Sequence, residues 1–400
     1  MAPPTSNKKS LSLLLGVSFL IIATTYLISF LARGYKISFN QGSFVKATGL
    51  ISATSTPKSA SVYINNRLTT ATDDTINLPP GNYQIKIIKD GYLPWQKTAL
   101  IKKEVVFQTD AHLFRTAPDL KPLTLTGTIN PVLSPDNSKI VYSVASASAS
   151  RDNGLYQLDL TNRPLPLNKN LPKQIHPDSP GINWANFNFE FSPDSRSILA
   201  VGPNASYLIR LDTSPNSRDL YDITPRLPII KKEWQQQTSE LIKNKIKDLP
   251  DQIKEVVSTA SAQNVAFSSS DSKILYLAQK DNQLLDQYIT PPPAQNNQNQ
   301  TRQIQADHYY IYDQKDDTNF LVGHQDTVTD PFWLPNSNNI IYIEGNQIKT
   351  IEYDTTNNQT VFADNFDKNV VFPWPDGSRI ITITSAYPGA QENLYAITIR

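Results

Sequence analysis

The chain has 400 residues, enough for two or three domains with cores of their own. Its 37 Lys and Arg nearly balance 36 Asp and Glu, a net charge of +1, so no overall field favours nucleic acid or a strongly acidic partner. There is no Cys and a single Met, the first residue, which excludes disulfides, thiolate metal sites and Cys nucleophiles.

Residues 1–10 read as a short cytoplasmic tail carrying Lys8 and Lys9. From Leu11 to Ala32 no residue is charged. As a helix this run spans about 33 Å, enough for a bilayer core. A cleaved signal peptide is the competing reading, but its apolar region is usually about 7–15 residues long and ends in small residues. Phe30-Leu31-Ala32 is a poor cleavage site, so the expectation is an uncleaved transmembrane anchor over residues 11–32. Lys8 and Lys9 before it are offset by Arg33 and Lys36 after it. Charge therefore does not orient the anchor, and the short leading tail points to a single pass with the C-terminal bulk extracytoplasmic.

Residues 33–48 are a linker without acidic residues. From 49 to 115 apolar and polar residues alternate, as in Ser61-Val62-Tyr63-Ile64-Asn65, Tyr83-Gln84-Ile85-Lys86-Ile87 and Glu104-Val105-Val106-Phe107. Period-two runs separated by turn residues predict a small antiparallel β-sandwich. Leu78-Pro79-Pro80-Gly81-Asn82-Tyr83 and Lys89-Asp90-Gly91-Tyr92, with Trp95 beyond, resemble the second half of the PEGA domain. Thr56-Pro57-Lys58-Ser59-Ala60 stands where that family has its Pro-Glu-Gly-Ala, of which Pro57 and Ala60 remain. The resemblance implies a surface-associated prokaryotic protein and brings no catalytic residues. Tyr83, Tyr92 and Trp95 are expected in its core.

From residue 119 to 400 one short pattern recurs. Its fullest copy is Trp374-Pro375-Asp376-Gly377-Ser378-Arg379-Ile380; the others begin at Ser134, Ser192, Ser268 and Leu334. Pro presets φ, Asp caps its own turn, and Gly or Asn tolerates φ > 0, so each copy predicts a turn between two strands. The isoleucines that close the copies, Ile140, Ile198, Ile274, Ile340 and Ile380, are spaced by 58, 76, 66 and 40 residues. The shortest interval is about one four-stranded blade, which predicts a β-propeller with insertions. The last copy runs out after its third strand. Residues 120–126 are expected to supply the fourth and so close a ring of five blades, removing an exposed sheet edge. The Ser-Pro-Asp runs resemble TolB-type propeller repeats, whose members often have six blades.

Strands alternate in direction, so the long connections fall on one face of the propeller, which is expected to look away from the membrane. They include a helical insertion at 229–259 and a flexible loop at 280–306. The insertion carries Trp234, Leu241, Ile242, Ile246 and Leu249 near helical spacing. It reads as a helical hairpin packed on the propeller, or as a docking element for a partner. On the same face Asn130, Asn188, Asn264 and Asp330 each stand five residues before the repeat proline or its equivalent; Val370 takes that place in the last copy, after Asn369. They are candidate ligand-binding residues at the channel mouth, together with Trp234; the alternative is local turn capping.

No catalytic motif is present. His112, His176, His308 and His324 lack any zinc-binding spacing, and there is no phosphate-binding or nucleophile-elbow glycine pattern. No cofactor or metal is expected. Only Glu190 and Asp330 lie in or beside inner strands, which leaves a glycosidase-like enzyme as an alternative. The sequence favours a membrane-anchored binding or scaffolding protein of the cell envelope, with an envelope protein or polysaccharide as partner. A structural spacer is the third reading.

Overall fold

The computed structural model describes residues 8–32, 35–37, 45–161, 171–211, 220–285, 292–293, 296–385, 387 and 389–400. The chain divides into two units, Met1–Leu113 with Pro291–Gln298, and Phe114–Thr290 with Asn299–Arg400.

In the first unit helix α1 covers Lys8–Ala32. Among the described residues it is the one helix long and apolar enough to cross a membrane, and its side chains are exposed from Ser12 to Ser29. Thr24 turns its Oγ1 onto the Leu20 carbonyl at 2.7 Å, so its hydroxyl adds no unmet donor to the apolar surface.

Two sheets follow. One runs in the order Arg67–Ala71, Ser61–Ile64, Gly81–Ile88, Trp95–Ile101, and the other Val106–Gln108, Gly49–Ala53, Asp74–Leu78. The alternation in the sequence is the cause: along Trp95–Ile101 every second residue is buried and those between are exposed. Ile51, Val62, Ile85, Ile87, Trp95 and Ile101 form the core, with Tyr83 and Tyr92 packed against it. The purely antiparallel expectation needs correction. Val106–Gln108 runs parallel to Gly49–Ala53, and Ala111–His112 parallel to Ser55–Thr56. A parallel pair needs a long crossover, and the whole four-stranded sheet serves as one. In the turn before Ser61, Ser59 takes φ +60° and Ala60 is fully buried. Thr72 organises that turn, its carbonyl accepting from Ser59 N and its Oγ1 from Ala60 N, both at 3.0 Å.

Among the described residues the second unit holds five antiparallel sheets of three or four strands. Sheet 1 is Ile129–Leu133, Lys139–Val144, Gly154–Asp159 and Lys173–Pro177; sheet 2 is Asn188–Phe191, Ser197–Val201 and Ser206–Arg210. Sheet 3 is Ala262–Phe267, Lys273–Ala278, His308–Asp313 and Thr318–His324. Sheet 4 is Thr329–Trp333, Asn339–Glu344, Gln347–Glu352 and Gln359–Phe362. Sheet 5 is Val371–Pro373, Arg379–Thr384 and Asn393–Thr398, with Asp119–Pro122 as its fourth strand. In sheet 2 an isolated bridge, Tyr207 to Asp222, stands after the third strand.

The repeated tetrads join the first strand of each sheet to the second. In all five the residue two after the proline or its equivalent has positive φ: Asn137 +57°, Ser195 +59°, Asp271 +54°, Ser337 +58° and Gly377 +66°. In the first copy Asp136 Oδ1 accepts from Ser134 Oγ, Ser138 N and Ser138 Oγ. Burial pushes the Asp136 carboxyl up, but these hydrogen bonds outweigh it and hold the group below the usual carboxylate range.

The fourth strand of sheet 5 pairs as the sequence requires, Asp119 with Thr398 through Pro122 with Tyr395. It is shorter than residues 120–126. Leu123 N and Thr124 N both donate to the Leu394 carbonyl, and Thr124 Oγ1 donates to Asn393 Oδ1 at 3.1 Å, which ends the ladder.

Neighbouring sheets share buried clusters. Ile140 and Leu158 of sheet 1 pack with Trp374, Ile381 and Leu394 of sheet 5. Val141 and Leu155 pack with Phe189, Phe191 and Ile198 of sheet 2. Leu275 and Ile311 of sheet 3 pack with Trp333, Ile340 and Tyr342 of sheet 4. The remaining face of sheet 3, with Ile274, Tyr276, Tyr310 and Tyr312, meets something else. It is covered by Leu249, Ile253, Val256, Leu284 and Ile304. Leu249 lies in the link between helices α2 (Leu227–Ile246) and α3 (Asp251–Val256), and Ile253 and Val256 lie in α3 itself.

Helix α2 reaches both neighbours. Lys231 lies 3.4 Å from Glu190 of sheet 2, and Lys245 lies 2.6 Å from Asp271 of sheet 3. Between these contacts residues 235–241 are all exposed. The segment 280–306, expected as one flexible loop, is corrected at its ends: Asn282–Gln283 pairs with Gln303–Ile304, and Arg302 pairs with Asp317 at 3.1 Å. Part of its middle, 286–291 and 294–295, lies outside the described residues.

Candidate functional site

The residues singled out by the repeat owe their identity first to the backbone. Asn130, Asn264 and Asp330 lie in the first strands of sheets 1, 3 and 4, with φ of +50°, +50° and +45°. Each sits where the register between the first two strands slips. A bulge residue in the left-handed region is most easily an Asn or Asp, whose short polar side chain tolerates it. This bulge replaces the expected turn capping. Asn188 differs: it opens the first strand of sheet 2 in unbroken register, opposite Val201.

All four side chains are exposed, and Trp234 is half-buried on α2. Asn130 Nδ2 donates to the Phe187 carbonyl, just before sheet 2, at 2.9 Å. Asn264 Nδ2 donates to Tyr309 Oη at 3.1 Å. Burial raises the Tyr309 phenol above its ordinary value and the nearby Asp330 charge adds to this, against the opposing effect of the Asn264 bond. Tyr309 therefore gathers two of the five candidates. In the sequence it is one of several tyrosines in a third strand, and nothing there sets it apart. Glu190 of the glycosidase alternative is paired with Lys231. His308 and His324 face each other across a strand pair with ring centroids 4.9 Å apart. Their Nδ1 atoms are engaged locally, His308 with the Ala306 carbonyl and His324 with Asp326. Among the described residues no cluster of three or more His, Asp or Glu could hold a metal ion.

Among the described residues, the cavities of the second unit include two of note. A trough of about 700 Å³ on sheet 4 is lined by Glu344, Gln347, Asp364 and Asn365 among others, and has no aromatic wall. The second, about 390 Å³, lies between the loop that leads into sheet 2 and the connection between that sheet's second and third strands, and includes Phe187 and Tyr207.

Among curated proteins no sequence matches this chain. Among solved structures it is similar to oligogalacturonate lyase in complex with manganese, at 13% identity over 72% of this chain and 71% of that one, TM-score 0.23. It is also similar to a TolB-type protein from Agrobacterium tumefaciens, at 10% identity over 88% and 99%, TM-score 0.22. TolB from Acinetobacter baumannii gives 12% identity over 79% and 60%, TM-score 0.20. At such scores the likeness adds nothing to the topology already described. The N-terminal unit is different: residues 48–117 match the PEGA domain, and the chain carries a domain of that family there.

Proposed function

We propose that the chain is a membrane-anchored, extracytoplasmic binding or scaffolding protein of the cell envelope. In this reading α1 is a single span, the PEGA domain follows it, and the five sheets are blades of a propeller closed by Asp119–Pro122. The observation that carries it is the pairing of that strand with Asn393–Thr398, which ties the two ends of the second unit into one sheet. A unit tied in this way presents loops from a fixed frame, and such loops are where binding residues concentrate. The partner is an envelope protein or polysaccharide, met by Asn130, Asn188, Asn264 and Asp330, with Trp234 on the adjoining helix.

The natural absence of Cys makes the test direct. A single Cys at exposed Asn365, labelled in whole cells with a membrane-impermeant maleimide, is expected to react without permeabilisation; reaction only after permeabilisation overturns the extracytoplasmic reading. Envelope cross-linking then compares the native chain with Asn130→Gly, Asn188→Ala, Asn264→Gly and Asp330→Gly combined. Glycine at the three positive-φ positions removes the side chain without adding backbone strain. Loss of cross-linked species supports these residues as the binding edge, and an unchanged pattern removes them from it.

A further inference from the structure

The smaller cavity is a built one. Its first wall is the loop after sheet 1, where Ser179 and Ile182 exchange both backbone hydrogen bonds across a Pro180-Gly181 turn with Gly181 at φ +85°. Pro then Gly at the centre, with the Gly at positive φ, is the chemistry of a tight type II turn. Asp178 Oδ1 accepts from Trp184 N at 3.1 Å, and Asn183 Oδ1 accepts from Ala185 N at 3.0 Å, so the loop is pinned at both ends. The second wall is the tight connection Gly202 to Ala205 in sheet 2, closed by Gly202 N donating to the Ala205 carbonyl at 3.0 Å. Gly202 is needed there: a Cβ would lie 2.4 Å from the Phe187 ring.

The floor is aromatic. Phe187 and Tyr207 line it with ring centroids 5.9 Å apart, and Trp184 packs behind both, at 5.1 and 6.0 Å, without lining the cavity. Trp184 and Phe187 are buried, which leaves half-buried Tyr207 as the most accessible of the three rings. Ser179, Asn186 and Asn204 line the cavity with Tyr207, and the side-chain hydroxyls and amides of these four make no hydrogen bond among the described residues. Charge is scarce: the lining has no Lys or Arg, and Asp178 is its one carboxylate, already holding the loop.

We propose that this cavity binds a neutral pyranose unit of an oligosaccharide or polysaccharide. The apolar face of a sugar ring fits an aromatic wall, while its hydroxyls need donors and acceptors in pairs, which side-chain amides supply. A volume of about 390 Å³ is of small-ligand size, with room for one or two sugar rings. The lack of a cation disfavours anionic sugars, since a buried carboxylate without a partner is costly. The inference rests on the polysaccharide reading above but places the sugar in a cavity that none of the five candidate residues lines, and the cavity itself does not depend on the propeller or on the membrane topology.

The test uses the full chain in nanodiscs, free of glycosidic detergents that would compete for the site. Neutral probes are cello-, malto-, manno- and chito-tetraose, with oligogalacturonate as the anionic control, followed by calorimetry. One neutral tetraose is expected to bind in the micromolar to millimolar range, and oligogalacturonate at least tenfold more weakly. Asn204→Ala and Asn186→Ala are each expected to weaken binding about three- to tenfold, as loss of one or two hydrogen bonds implies. Tyr207→Phe keeps the ring and removes the hydroxyl, so it is expected to lose no more than the amide variants; Tyr207→Ala is expected to abolish binding. Both Asn side chains are exposed, so their removal leaves the fold in place and keeps the test decisive even if Tyr207→Ala unfolds. Binding of no neutral tetraose at millimolar concentration overturns the proposal. So does binding unaffected by Asn186→Ala and Asn204→Ala, or a preference for oligogalacturonate. Labelling from outside together with absent glycan binding would sink this inference alone, and glycan binding with labelling from inside would sink the topology alone.

Discussion

Ser337 offers a sharp test of how one sheet is fastened to the next. It holds φ +58° in the turn of sheet 4, is 8% exposed, and its Oγ accepts the backbone N–H of Ser270, in the turn of sheet 3, at 2.9 Å. Ser195 repeats the device two junctions earlier, between sheets 2 and 1, accepting from Asp136 N at 3.2 Å. A non-glycine residue in the left-handed region costs about 1–2 kcal/mol, so a serine there needs a compensating role. Ser337→Ala keeps the strain and loses a hydrogen bond worth about 1 kcal/mol. Ser337→Gly loses the same bond but releases the strain, offset by about 0.5–1 kcal/mol of extra freedom in the unfolded chain. The alanine variant is therefore expected to fall by about 1 kcal/mol, or roughly 2–4 °C in Tm, with the glycine variant between it and the native chain. Thermal unfolding followed by Trp fluorescence measures this order, and amide exchange at Ser270 is expected to quicken in both variants. An alanine variant as stable as the native chain, with Ser270 exchange unchanged, would refute the reasoning.

Four other outcomes are expected. Arg302→Ala removes the ion-pair partner of the Asp317 carboxylate, which is 1% exposed and also accepts from Tyr312 Oη at 2.9 Å; a loss of about 3 kcal/mol in urea unfolding is expected, and an unchanged midpoint would argue against it. Ser59→Gly removes an exposed side chain at φ +60° and is expected to stabilise the N-terminal unit by roughly 0.5–1 kcal/mol, read as a higher melting temperature; a lower one contradicts the strain argument. Burial holds the His176 imidazole below its ordinary value of about 6.5, so as pH falls the unfolded chain takes the proton first. Stability from this group is full above about pH 6.5 and is lost as pH drops through the folded value; urea midpoints are expected to fall from pH 7 to 5, and a His176→Phe variant with the same slope would exclude this cause. Amides of residues 235–241 in α2 are expected to exchange much faster than those of Lys273–Ala278, because their helix turns have no buried side chain to hold them; equal protection would show that α2 is supported elsewhere.

How far the sequence reached depended on what kind of residue carried the message. The five turns were legible because the left-handed residue two after the proline or its equivalent is chemically restricted, and Asn137, Asp271 and Gly377 obey that restriction openly. Ser195 and Ser337 hid it, since their hydroxyls serve a neighbouring sheet that no local pattern reveals. The fourth strand of sheet 5 was legible by counting strands, although its end was not: Thr124 leaves the ladder for Asn393, a contact 269 positions away. The parallel pairs of the N-terminal unit were illegible for a related reason, because alternation reports which face a residue takes and not the direction of its neighbour. At the candidate site the spacing of Asn130, Asn264 and Asp330 was real, yet it reported a bulge. Tyr309 and the cavity between 178–187 and 202–207 arise from segments that meet only in the fold.

The spacing of the repeat and the packing between sheets have one common explanation. The longest interval, 76 residues, separates Ile198 of sheet 2 from Ile274 of sheet 3, and it contains both α2 and α3. At this junction the face of sheet 3 that carries Tyr276, Tyr310 and Tyr312 is covered by α3, the link before it and the 282–304 ladder. Asp271, the turn residue equivalent to Ser195 and Ser337, is paired with Lys245 of α2. The extra residues thus act as packing material, supplying the apolar cover that a neighbouring sheet supplies elsewhere. Apolar cover is worth about 25 cal/mol per Å², whereas the two exposed ion pairs that tie α2 to sheets 2 and 3 are worth about 0–1 kcal/mol each. Firm cover on one side and weak ties across the middle are expected to leave this junction compliant. Movement between the two halves of the second unit is therefore expected at α2, with Glu190–Lys231 and Asp271–Lys245 the first contacts to part.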